Sequence, residues 1–76
     1  MRVSINSIDN TIVVDGKGMT VDCAGLRAEE ISAVQWHGDH GEIEFIGHKK
    51  YNQTIDDFSR FQVYVDRAEP FPEPKP

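Results

Sequence analysis

His37, His40 and His48 are the histidines of this chain, and the first two lie three apart in "WHGDHGE", with Asp39 between them and Glu42 just beyond. Neutral imidazoles joined by a carboxylate from Asp39 or Glu42 would suit tetrahedral zinc, which makes this the one metal-ligand constellation the sequence offers. The spacing argues against it, because a strand-and-turn arrangement does not obviously converge His37 and His40, and no partner for their second ring nitrogens can be assigned. The expectation is that no metal or other cofactor is bound and that these are solvated turn histidines. His37, His40 and His48 stand as the candidate ligands, and His37, His40 and Phe71 as the candidate partner contacts.

Other stretches with chemical potential have plainer explanations. "DGKG" at 15 to 18 lacks the spaced carboxylates of a calcium loop and the Gly-Lys-Ser/Thr ending of a phosphate loop, so it reads as a tight hairpin reversal. Asp56 and Asp57 could be paired catalytic acids, but neighbours on a helix point apart, and helix capping explains them better. Cys23 is the single cysteine; no internal disulfide can form, and only Arg27 nearby would activate the thiol. "NQT" at Asn52 matches a glycosylation acceptor, a pattern of three residues with little specificity.

The elements that would position these groups begin with "RVSIN", where Val3 and Ile5 alternate with polar residues in the period of a half-buried strand. "DN" at 9 and 10 turns the chain, "TIVVDG" is β-branched, and "MTVDC" returns after the glycines. "AGLRAEE" is long enough for one helical turn. In "AVQWHGDHGEIEF", pairing at a constant residue sum of 79 sets Trp36 opposite Ile43 and Val34 opposite Phe45, with Gln35 facing Glu44 and His37 facing Glu42 on the wet side. The reversal would then centre on Asp39 and His40, flanked by Gly38 and Gly41.

Beyond "FIGHKKYNQ" the period changes. Thr54 as cap, Asp57 at the third helical position and the stripe Ile55, Phe58, Phe61, Val65 predict a helix over about 55–67, in preference to a strand for "FQVYV". The expected fold is α+β: an antiparallel meander of about five short strands with one C-terminal helix packed on one face. The predicted core is Ile5, Val14, Val21, Val34, Trp36, Ile43, Phe45, Phe58, Phe61 and Val65. Residues 1–68 form the domain and 69–76, ending "PFPEPKP", a proline-rich tail.

At 76 residues the chain has room for one small core, with seven aromatics among its 38% hydrophobic residues, and little for an enclosed substrate cavity. The net charge of −5 has its few bases scattered, which excludes a nucleic-acid stripe. "MRVSINSIDN" lacks an apolar run of signal-peptide length, and no window approaches a membrane span. The expected protein is soluble, and its sheet edges could pair with a second copy in a homo-oligomer.

The runs "ISAVQWHGDHGEIEF" and "NQTIDDFSRFQVYVD", with "MRVSI" and "VDGKGMTVDC" before them, resemble small proteins encoded in the tail modules of tailed bacteriophages and prophages. The shared pattern is Val-Gln-Trp, a glycine-bounded turn, Ile-Glu-aromatic, then Asn and Ile before a short amphipathic helix; "DRAEPFPEPKP" departs from it. The resemblance implies no reaction, cofactor or catalytic residue. It implies a non-enzymatic tail or tail-fibre-associated protein whose partners are phage structural or tail-fibre proteins, found in the virion or the bacterial host cytoplasm. The alternatives are a transient tail assembly factor absent from the virion and a small metal-binding protein using His37, His40 and His48.

Overall fold

The structure, a computed structural model, describes residues 1–48 and 50–72. Six antiparallel strands form one sheet: β1 (Val3–Asn6), β2 (Thr11–Val14), β3 (Lys17–Thr20), β4 (Ile31–Trp36), β5 (Gly41–Phe45) and β6 (Gln53–Ile55). Two short helices, α1 (Ala24–Ala28) and α2 (Gln62–Arg67), accompany it. The α+β class is as expected, with six strands among the described residues in place of about five.

The order β3-β2-β1-β4-β5-β6 departs from the expected meander. After β3 the chain crosses through α1, and β4 lies beside β1 rather than β3, pairing Val3 with Trp36 and Ile5 with Val34. This places β1 and β4 at the centre, where both ladders are satisfied and neither presents an open edge. Arg27 ties α1 to the first hairpin by donating to the Ser7 carbonyl and, at 2.6 Å, to Asn10 Oδ1, which also accepts the Cys23 amide.

Turn chemistry sets the registers. Asp15 and Gly16 both have positive φ, 48° and 84°, the type I′ pattern that matches strand twist, so Val14 pairs with Lys17. At the next hairpin Gly38 has φ 111° while Asp39 does not enter the positive region, the arrangement that needs glycine first. The reversal therefore centres on Gly38 and Asp39. Pairing at the sum of 79 is overturned: Val34 faces Ile43, Gln35 faces Glu42, and Trp36 faces Gly41. The shift of two preserves the faces, so Val34, Trp36 and Ile43 still share the buried side.

A bulge between Ile31 and Ala33 moves the rest of β4, so that Phe45 lies opposite Ile31 and Glu44 opposite Ala33. Ser7, fully buried, stabilises it: its amide donates to the Ser32 carbonyl at 2.9 Å, and its hydroxyl lies 2.5 Å from the Ile31 carbonyl oxygen.

The helix expected over 55–67 is shorter. Gln53–Ile55 is edge strand β6, with Ile55 opposite Gly41, and a 3₁₀ turn at Ser59–Phe61 precedes α2. Thr54 is a strand residue, not a cap. Asp57 ends the strand instead, its carboxylate accepting the Ser59 amide at 2.9 Å and the Ser59 hydroxyl at 3.0 Å. The 3-and-4 stripe was nonetheless inward-facing: Phe58 and Phe61 are buried, and Ile55 and Val65 pack against the core.

The core joins Val3, Ile5, Ile12, Val21, Cys23, Leu26, Ile31, Val34, Trp36, Ile43, Phe58 and Phe61. Each such aliphatic or aromatic side chain removed from water contributes roughly 1.5–3 kcal/mol before chain entropy is set against it. Val14 and Phe45, expected inside, are only partly buried because each ends its strand, and Val65 in α2 is partly buried as well.

Candidate functional site: the uncovered sheet face and the histidine turn

Pairing aligns residues across the second face of the sheet, opposite the core. One row runs Gly18, Val13, Ser4, Gln35, Glu42, Thr54; a parallel row runs Thr20, Thr11, Asn6, Ala33, Glu44. None of these residues is buried, and Val13 is 40% exposed. Gln35 donates to Glu44 at 3.4 Å and Asn52 to Glu42 at 3.3 Å, so the carboxylates are held on the sheet surface.

The chain beyond α2 extends this face. Glu69 exchanges two backbone hydrogen bonds with Thr20, at 2.8 and 2.9 Å, beside the β3 edge. Two residues on, the Phe71 ring lies over Gly18, whose missing Cβ would stand 3.3 Å from Phe71 Cε2. Glycine in a strand interior is a signal of such close approach. Phe71 stays 51% exposed, so the ring and Val13 form an apolar platform at one side of the polar rows. Residues 73–76 of the proline-rich tail lie outside the described residues.

At one end of the face, Arg2, Ser4, Val13, Gly16, Gln35 and His37 line a shallow depression. His37 and His40 are partners across the turn, joined by the His37 amide donating to the His40 carbonyl at 2.8 Å. Their ring centroids are 5.1 Å apart, tilted by 43°. The expectation that this spacing fails to converge them is overturned, because the sum of 77 makes them a cross-strand pair. A partner for a second ring nitrogen is also present: His40 Nδ1 lies 2.6 Å from Asp39 Oδ1. That hydrogen bond, and then the imidazole's charge, hold the Asp39 carboxyl below the usual carboxylate range. His48 follows β5, at the end of that strand away from the turn; its side chain lies outside the described residues.

The other singled-out groups are dispersed. Cys23, at the N-terminal end of α1, is buried, and burial pushes its thiol pKa up despite the Arg27 charge that opposes the shift. Asp57 is engaged by the Ser59 amide and hydroxyl, which lower its pKa. Among the described residues no group of three or more His, Cys, Asp or Glu side chains is arranged to hold a metal ion. No helix among them is long and apolar enough to cross a membrane.

Compared with known protein families, with characterised proteins and with solved structures, the chain gives no match in any of the three.

Proposed function

We propose that this protein is a non-enzymatic bacteriophage tail or tail-fibre-associated component that works by contact with phage structural proteins. The observation that carries the reading is the second sheet face, on which none of the described row residues is buried, with Val13 and Phe71 exposed beside rows of hydrogen-bonding side chains. An apolar platform beside a polar rim is the composition of a protein-contact surface. The tail-module resemblance supports the choice of partner, since its central run "ISAVQWHGDHGEIEF" is the β4–β5 hairpin, two of the six strands that build this face. A transient assembly factor would use the same surface and leave before the particle is complete.

The test is deletion of the coding sequence from the source phage or prophage, followed by complementation. Wild-type protein restores infectious particles, whereas Val13→Glu, which places a charge on the platform without touching the core, does not. Full particle yield without the gene, or full rescue by a folded Val13→Glu protein, would contradict the proposal.

A further inference from the structure

The β4–β5 turn carries a feature that the contact surface does not require. His37 and His40 are exposed, on opposite sides of a reversal fixed by the conformation of Gly38 and by the hydrogen bond between their own backbones. Two imidazoles bound at about 2.0–2.1 Å to one tetrahedral ion place their ring centroids about 5 Å apart. The observed separation is 5.1 Å, with the rings tilted by 43°.

The hydrogen bond to Asp39 adds a second, independent observation. A carboxylate can only accept, so the hydrogen bond puts a proton on His40 Nδ1 and leaves Nε2 as the nitrogen that could bind an ion. A carboxylate holding the far nitrogen of a histidine is the supporting arrangement that orients metal-bound imidazoles and raises their basicity. Asp39 also supplies a negative charge beside His40.

We propose that His37 and His40 form a two-imidazole site for a divalent zinc-class ion, with Asp39 as a positioning residue and water in the remaining coordination positions. The site is independent of the tail reading, since it needs only the turn. The turn is already folded, so binding leaves the sheet as it is.

The experiment is titration of the tag-free, isotope-labelled chain with zinc chloride, followed by nuclear magnetic resonance of the histidine rings and by calorimetry. The His37 and His40 ring resonances are expected to move together and saturate at one zinc per chain. His37→Ala and His40→Ala should each weaken binding by at least about tenfold. Asp39→Asn should weaken it by roughly tenfold while leaving the backbone spectrum unchanged outside the turn. Movement of one ring alone, saturation at a different stoichiometry, or undiminished affinity in either alanine variant would overturn the proposal. Because both residues are exposed, the variants remain folded and the result is readable.

Discussion

Gly41→Ala tests the register that brings the turn and the face together. A Cβ at this position would lie 2.0 Å from the Gln35 carbonyl oxygen and 3.0 Å from Trp36 Cε3. The nearer atom is backbone and cannot rotate aside, so β4 and β5 would have to separate locally by at least about 1 Å. Overpacking of this kind costs about 1–3 kcal/mol, and an immovable neighbour puts it at the upper end. The alanine returns roughly 0.4–1 kcal/mol by restricting the unfolded chain, leaving a net loss of about 2 kcal/mol. A domain of this size has only about 4–11 kcal/mol in total, so the midpoint temperature should fall by about 8–16 °C. Thermal melts followed by Trp36, the sole tryptophan, read this directly, since its ring lies 5.3 Å from Phe58 and reports on the core. Gly25→Ala is the control: its nearest contact, at 3.1 Å, is the hydroxyl of Tyr64, which can turn away. An unchanged midpoint for Gly41→Ala would refute the pairing of Trp36 with Gly41 and favour the register with Ile43 opposite the tryptophan.

Trp36→Ala removes an indole that is 8% exposed and should cost roughly 3–5 kcal/mol in a thermal or urea melt; a loss below about 1 kcal/mol would contradict its burial. Ser7→Ala takes the hydroxyl donor from the Ile31 carbonyl at the bulge and should cost about 1–3 kcal/mol by urea melt, whereas a neutral result would mean that water replaces it. Burial raises the pKa of Cys23, and of Tyr64, above the unfolded values, so the unfolded chain ionises first and stability should fall as pH rises above about 8.5. The decline in urea midpoint towards pH 10 should be shallower in Cys23→Ala, and identical slopes in the two proteins would refute the assignment.

The sequence was most legible where one physical rule acted alone. Alternation in Val3 and Ile5, and glycine after aspartate at 15 and 16, were enough to place the first strand and the reversal between β2 and β3. It was least legible where two rules competed. For the β4–β5 hairpin, matching large apolar side chains favoured pairing Trp36 with Ile43, while the requirement for glycine at the first turn position favoured Gly38; the backbone constraint prevailed, since a face is preserved under a shift of two. The stripe from Ile55 to Val65 marked the inward side correctly, yet an extended segment, a carboxylate-capped turn and a 3₁₀ turn deliver those side chains as well as one helix would.

The candidate sites divide in the same way. His37 and His40 were visible as residue types, but their approach depended on the register and was therefore hidden with it. The platform of Val13 and Phe71 left one trace, Gly18 in a strand interior, and its meaning required the Glu69–Thr20 pairing across almost fifty residues of chain. The crossover that sets β4 against β1 left none, because nothing local distinguishes which strand a returning segment will join.

Quantitative mass spectrometry of purified particles from the source phage or induced prophage tests the functional account most directly, with a tail protein of known copy number as the scale. A virion component acting through the uncovered sheet face is predicted at a reproducible stoichiometry, cross-linked to its neighbours through residues around Val13 and Phe71. Its absence from complete, infectious particles would contradict that account, and abundance in the same lysate would assign it instead to assembly.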